Sequence, residues 1–189
     1  MKSGKEVMSK SLNQTFQLPI GTLDDARKLI GTKTGPTRSD VPMDLSTAMA
    51  LCGIIEDPNP NYWHAAVSEE IWGARIVPPA MLKGAFCTLP WYPPGVPRAQ
   101  RTMGAAIVPL PANTLINVGT EETFHRPIRA GDWLTLTEIL ESVSDEKQTA
   151  LGPGYFITTK IEWHDETGAL VAEGRNILLR YRVEEEADA

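Results

Sequence analysis

The sequence predicts an α+β domain in which an antiparallel sheet wraps around a long central buried helix. The C-terminal third contains four runs of alternating apolar and polar residues, which are typical of antiparallel strands with one buried face. HDETG between the last two runs is a hairpin signal. Upstream, VPPAMLKGAFCTL is an apolar run of about helix length, and a helix that is apolar all round is buried.

Three further helices are predicted before the central one. Thr22 caps TLDDARKLIG, which has two acids in its first turn and closes at Gly31. DLSTAMALCGIIED is apolar along one side and ends where the prolines begin. SEEIWG reads as a short helix capped by Ser68, and Pro79 suits the first turn of the central helix.

The strands are predicted within LINVGTEETFHRPI, DWLTLTEILESVS, GYFITTKIEWHDETG and ALVAEGRNILLRYRV. Residues 90–111 are rich in Pro and Gly and are predicted to form a long functional or covering loop. We therefore expect a single domain over residues 15–183, a disordered N-terminus over residues 1–14 and an acidic tail over residues 184–189.

Composition excludes several classes of function. The 189 residues are 42% hydrophobic and 22% charged, and the net charge of −6 gives no electrostatic reason to bind nucleic acid or an anionic membrane. No apolar run spans a bilayer and no secretory signal begins the chain, so we expect a cytoplasmic protein. Cys52 and Cys87 are expected to be free, buried thiols. His64, His125 and His164 are scattered, so neither a metal nor a cofactor is expected.

DPNPNY at residues 57–62 resembles the hydratase-2 signature Asp-x-Asn-Pro-x-His of the MaoC-like enoyl-CoA hydratases and dehydratases. AMLKGAF begins at Ala80, eighteen residues beyond Tyr62, and is similar to the family's Gly-Met-Leu at the start of its central helix. FHRPIRAGDWLTLT resembles the family's Arg-Pro-x-x-x-Gly-Asp turn into a strand, and LGPGYFITTKIEW is similar to the FAS1-like N-terminal dehydratase branch. The resemblance extends from about Thr22 to Tyr181 and implies a hot-dog fold.

The chain departs from the family pattern at two positions. Tyr62 stands at the signature histidine, and Ala80 stands at the helix-start glycine. The resemblance implies addition of water across a 2-enoyl thioester, or its removal, which needs a base, an acid and a donor for the enolate-like oxygen. Asp57 is either a base or an ordinary turn acid, and the sequence leaves both open.

Tyr62 cannot act as the base, because the reference pKa of tyrosine is about 10. It is a proton donor, a group that positions water, or a packing residue. His64 faces the same way as Tyr62 only in an extended turn and is otherwise exposed. His125 is expected to be structural or interfacial.

The remaining site expectations concern substrate binding. The backbone N–H of Ala80 is a candidate donor to the thioester oxygen, at a helix N-terminus whose dipole favours negative charge. Asn59 is expected mainly to fix the loop, and Thr88 is either a hydroxyl donor or a core residue. The candidate contacts to the CoA phosphates are Arg98, Arg101, Arg126 and Arg129, which are otherwise generic surface charges.

Three functions remain open. The favoured one is a subunit of a heteromeric enoyl-CoA hydratase or 3-hydroxyacyl-CoA dehydratase that lacks the base and pairs with a catalytic hot-dog subunit. Its substrate would be a bulky acyl-CoA, such as a steroid side-chain thioester. The second is a self-sufficient homodimeric hydratase that uses Asp57 with Tyr62 or His64, and the third is a non-enzymatic acyl-CoA binding module. A second hot-dog subunit, identical or different, is expected in each case, because a single sheet exposes its edges.

Overall fold

The computed structural model describes residues 18–86, 93–96 and 104–183. The helices are α1 (Leu23–Lys28), α2 (Leu45–Ile54), α3 (Pro60–Trp63), α4 (Ala65–Trp72) and α5 (Met81–Gly84), and a 3₁₀ turn spans Gly104–Ile107. The strands are β1 (Lys33–Arg38), β2 (Thr114–Phe124), β3 (Thr135–Val143), β4 (Lys147–Thr149), β5 (Gly152–His164) and β6 (Leu170–Tyr181). The predicted disordered N-terminus and acidic tail lie outside the described residues. Within these ranges, no helix has the length and hydropathy needed to span a bilayer.

The strands form one antiparallel sheet in the order β1-β3-β5-β6-β2, with β4 paired to β5. Strands β3 and β6 lie within their predicted runs, whereas β2 and β5 begin one and two residues before theirs, at Thr114 and Gly152. The carboxylate of Asp165 closes the predicted hairpin by accepting the N–H groups of Thr167 (2.9 Å) and Ala169 (3.1 Å). The sequence does not predict β1, because Gly35 and Pro36 lie inside it. A proline is tolerated there because β1 is an edge strand.

Two hydrophobic clusters pack against one face of the sheet. The first contains Ala48 of α2 and Leu82 of α5 above Ile161 of β5. The second contains Ala105 of the 3₁₀ turn above Ile157 of β5. Residues 157 and 161 of one strand lie on the same face, because side chains alternate along a strand. This face is therefore the buried one.

The helix at the predicted central position is shorter in the described residues than the sequence suggests. Leu82 of α5 is fully buried, but Lys83 is exposed and its Nζ lies 3.1 Å from Glu122 Oε1 on β2. The helix is therefore not apolar all round, because one side faces an acid on the sheet edge. The rest of the predicted run from residue 87, including Cys87 and Thr88, lies outside the described residues.

The end of the predicted loop over residues 90–111 belongs to the core. Gly104, Ala105 and Ala106 of the 3₁₀ turn are buried, as are Val108 and Leu110 after it. The Gly104 N–H donates to the carboxylate of Glu138 on β3 at 2.6 Å, which fixes the turn against the sheet. This part of the segment therefore packs in the core and is not a covering loop.

One of the two predicted helix caps is confirmed and the other is wrong. Thr22 caps α1 as predicted, in a reciprocal capping box with Asp25. Ser68 does not cap a helix, because α4 already begins at Ala65. Ser68 is buried inside α4, and its hydroxyl donates to the Ala74 carbonyl at 2.8 Å and accepts the Ile76 N–H at 3.1 Å.

Candidate functional site

The signature loop is fixed by hydrogen bonds between its own residues. Asp57 Oδ1 accepts the Asn59 N–H at 3.0 Å, and the Asp57 N–H donates to the Cys52 carbonyl at 2.9 Å. Asn59 Oδ1 accepts the Asn61 N–H at 3.1 Å and so caps α3. Pro60 is the first residue of α3, where its missing N–H costs nothing. The loop that ends one helix therefore starts the next, and Tyr62 lies on a helical turn.

A cavity of about 380 Å³ opens beside this turn. One wall comes from the signature loop and the helices α3 and α4, and the opposite wall is the segment that follows β2. The segment after α4 joins the two walls, because the Val77 N–H donates to the Ile128 carbonyl at 2.9 Å. The residues that line this Tyr62 cavity are Asn59, Asn61, Tyr62, Trp72, Ile76, Val77, Pro79, Phe124, His125, Arg126, Pro127 and Ile128.

Tyr62 is buried, with 8% of its surface exposed. Burial raises the pKa of its phenol above the ordinary value. The nearby Asp57 and Cys52 raise it further, while a hydrogen bond with Asn59 opposes them. The phenol therefore stays protonated at neutral pH and cannot remove a proton from water, as the sequence predicts.

The structure does not bring the other two candidate catalytic residues to this cavity. Asp57 is half-buried, and in the described part of the chain it does not line the Tyr62 cavity. His64 is exposed between α3 and α4, and its backbone N–H donates to the Pro60 carbonyl at 2.9 Å. Because Tyr62 lies in a helical turn, His64 does not share its direction.

His125 lines the same cavity as Tyr62, although sequence reasoning assigns it no role there. It follows β2 directly, and its Nε2 lies 3.2 Å from Glu173 Oε1 on β6. Glu173 also pairs with Lys160 at 3.3 Å, so the imidazole joins a charged group on the sheet. The sequence signal that could have identified His125 is its position before RPIRAGD, which supplies the neighbouring lining residues.

Ala80 stands between two cavities. Pro79 lines the Tyr62 cavity, and Ala80 lines a second, mainly apolar cavity of about 320 Å³. The other residues of this second cavity are Val41, Pro42, Met43, Asp44, Thr47, Leu51, Met81, Gly84 and Ala85. Ala80 is exposed, and its N–H meets no acceptor in the described ranges. The Ala80 N–H is therefore an available backbone donor next to the second cavity.

The candidate phosphate contacts are not equally available. Arg126 donates to Asp132 Oδ2 at 2.7 Å and to Asp165 Oδ2 at 2.9 Å, which occupies both of its terminal nitrogens. The exposed Arg129 guanidinium forms no hydrogen bond or ion pair with any described residue, so it is better placed than Arg126 to bind a phosphate. Arg98 and Arg101 lie outside the described residues.

Asp165 holds the cavity wall through Arg126, and we expect the change Asp165→Asn to lower the free energy of unfolding by about 2–3 kcal/mol. The Asp165 side chain is only 17% exposed, so its ion pair is weakly screened. Urea unfolding near pH 7 measures the loss. The matched control is Glu166→Gln, because Glu166 is 60% exposed in its ion pair with Arg38. That change should cost less than about 1 kcal/mol, and equal losses in the two variants would contradict the argument.

The Asp165 carboxylate should also make the free energy of unfolding depend on pH in the acid range. A hydrogen bond from the Thr167 hydroxyl, together with Arg126 and two backbone N–H groups, holds the pKa of Asp165 well below its ordinary value against the effect of burial. Because the folded-state pKa is depressed, the stabilisation is complete above about pH 5, begins to fall as pH drops below the unfolded value of about 3.9, and is lost fully only below the folded-state pKa. Wild type should therefore lose more stability than Asp165→Asn between pH 6 and pH 3.

The family model described as "FAS1-like, dehydratase domain region" matches residues 52–174. A probable enoyl-CoA hydratase alpha subunit from Thermomonospora curvata is 31% identical over 152 residues, which cover 78% of this chain and 47% of that protein. This chain therefore spans about half the length of that relative.

Two solved structures support the fold. A chain of the ChsH1-ChsH2 complex from Mycobacterium tuberculosis matches with a TM-score of 0.67 at 20% identity, over 96% of this chain and 99% of that one. A MaoC-like dehydratase from Rhodospirillum rubrum matches with a TM-score of 0.57 at 18% identity, over 87% of this chain and 99% of that one. The predicted α+β hot-dog fold is confirmed. Because the family model covers most of its length, this chain belongs to the FAS1-like dehydratase family of MaoC-like hot-dog proteins.

Proposed function

We propose that this chain is the subunit of a heteromeric enoyl-CoA hydratase that lacks the catalytic base and forms part of the acyl-binding cleft. The observation that carries the proposal is Tyr62, a buried and protonated phenol on the cavity wall where the family signature has histidine. The similarity to a relative named as an alpha subunit and to a chain of a two-protein complex supports a heteromeric assembly.

The chemistry would then be shared between two chains. The partner supplies the Asp–His pair that activates water and protonates the carbon alpha to the carbonyl. This chain supplies the Ala80 N–H, which lies beside the Tyr62 cavity and has no acceptor in the described residues. That N–H can donate to the thioester oxygen as negative charge develops on it.

The substrate we propose is a bulky acyl-CoA of the steroid side-chain type, which the complex would hydrate in the cytoplasm. The two cavities on either side of Pro79 and Ala80 support this size, since the second one is lined mainly by apolar side chains such as Leu51 and Met81. The exposed Arg129 is the residue we assign to the CoA phosphates.

The test mixes the purified chain with a hot-dog hydratase chain from the same genome that carries an intact Asp-x-Asn-Pro-x-His signature. We expect hydration of crotonyl-CoA, or of a longer enoyl-CoA, to be at least about 10²-fold slower for the chain alone than for the mixture, because a missing base costs about 10²–10⁴-fold. Robust turnover by the chain alone would favour the self-sufficient hydratase. Binding of acyl-CoA with no hydration by any mixture would favour the non-enzymatic binding module.

A further inference from the structure

We propose that the second cavity binds the apolar tail of the acyl chain, and that Gly84 sets how far this tail can extend. This step rests on the proposed function, which assigns the thioester oxygen to the Ala80 N–H. The cavity has a volume of about 320 Å³ and is formed by the segment before α2, by α2 and by the segment that contains α5. Ala80 and Gly84 both line it, so the assigned thioester donor and Gly84 border one space.

The polar side chains in the lining of the second cavity are bonded to each other. The Asp44 carboxylate accepts the Thr47 N–H at 2.7 Å and the Thr47 hydroxyl at 2.9 Å, at the first turn of α2. The other described side chains of the lining are apolar, and Leu51 and Met81 are among the largest. The occupant that this lining favours is therefore a hydrocarbon chain, because a polar group would find few partners there.

Gly84 is a glycine that the backbone does not require. It lies in α5, and it is not among the residues with a positive φ. A Cβ placed on Gly84 would meet no neighbouring atom within 4 Å in the described ranges, so no close contact excludes a side chain. Glycine is also a poorer helix former than alanine. The effect of glycine at this position is to leave the space beside α5 open to the second cavity.

The spacing along α5 relates Gly84 to the length of the acyl chain. Gly84 follows Ala80 by four residues, which is about one helical turn and a rise of about 6 Å on the same side of the helix. A butyryl group whose thioester oxygen lies at the Ala80 N–H is too short to cross that distance, whereas an octanoyl group crosses it. A side chain at position 84 should therefore hinder the longer group only.

The experiment measures the Kd of butyryl-CoA and of octanoyl-CoA for the purified chain by titration calorimetry. Wild type should bind octanoyl-CoA at least about 10-fold more tightly, because each buried methylene contributes about fourfold in affinity. Gly84→Leu should weaken octanoyl-CoA at least about 10-fold and leave the Kd of butyryl-CoA within about twofold of wild type, because leucine occupies the path of the tail.

The matched control is Gly53→Leu in α2. Gly53 is also an exposed helical glycine whose added Cβ would meet no atom within 4 Å in the part of the chain that the structure describes, but it does not line the second cavity. Gly53→Leu should change neither Kd by more than about twofold. Both variants should keep at least the thermal midpoint of wild type, because leucine is the better helix former. Weaker binding by Gly84→Leu alone is then not a loss of fold.

The same variants are compared in the mixture with the signature-bearing chain. There Gly84→Leu should raise KM for 2-octenoyl-CoA at least about 10-fold and leave KM for crotonyl-CoA within about twofold. If Gly84→Leu handles the octanoyl and octenoyl thioesters as wild type does, or weakens the short and the long thioester equally, the second cavity does not hold the tail, while the proposed function stands. If wild type binds neither thioester and its mixture hydrates neither enoyl-CoA, the proposed function itself fails.

Discussion

Asp57→Asn in this chain is expected to leave kcat for hydration of crotonyl-CoA by the proposed heteromeric complex within about twofold of wild type, whereas the same change in the partner's signature should lower kcat by about 10²–10⁴-fold. Here the Asp57 carboxylate is an internal turn acceptor for the Asn59 N–H at 3.0 Å. The side-chain oxygen of asparagine can accept the same hydrogen bond, so the loop keeps its shape. The measurement is steady-state hydration by complexes in which one subunit at a time carries the change.

Two further changes in this chain control the result. Tyr62→Phe removes a hydroxyl that is protonated at neutral pH, and His64→Ala removes an exposed imidazole away from the Tyr62 cavity. Neither change should lower kcat of the complex more than about threefold, because neither group acts as the base. A loss of 100-fold or more on Asp57→Asn would instead place the base in this chain, as the homodimeric alternative requires.

Arg180→Met is expected to lower the free energy of unfolding by about 3–5 kcal/mol. The side chain is fully buried in β6 and donates to the carbonyls of Ala112 (2.8 Å), Pro19 (2.8 Å) and Val108 (3.4 Å). Burial lowers the pKa of its guanidinium to about 10, which leaves it charged at neutral pH. Methionine fills much of the same space but donates nothing, so the Ala112 and Val108 carbonyls lose this donor, while the Pro19 carbonyl keeps the Leu110 N–H at 3.3 Å.

The control for this prediction lies two residues further along the chain. Arg182 is exposed and donates to a single carbonyl, that of Pro111, at 3.1 Å. Arg182→Met should therefore cost less than about 1 kcal/mol in the same urea titration. Equal losses for the two variants would show that the buried carbonyls of Ala112 and Val108 do not depend on Arg180.

The strands and the first cap could be predicted from sequence because both depend on local patterns. The alternation of apolar and polar residues along β5 matches its alternation of buried and less buried side chains, because one face of the sheet is buried and the other is not. Thr22 followed by Asp25 encodes a capping box within four residues. In contrast, β1 forms because it pairs with β3. Its own sequence contains Gly35 and Pro36 and does not predict a strand.

Only the features of the site that depend on the spacing of residues in the sequence could be predicted. The substitution at Tyr62 is visible in the sequence, and its protonated state follows from the ordinary pKa of a phenol. The absence of His64 from the cavity lining follows from the single helical turn that begins at Pro60, which the proline-rich sequence does not predict. The presence of His125 depends on where β2 ends against the opposite wall, and sequence distance does not reveal that contact.

The order of the sheet has a consequence for the chain as it leaves the ribosome. Among the strands of the described sheet β6 is the last one synthesised, yet it lies between β5 and β2, and β2 has no other neighbour in that sheet. A nascent polypeptide that ends before residue 170 therefore presents β2 with both of its edges unpaired. The described sheet is therefore complete only after β6 has been synthesised and has paired with β2.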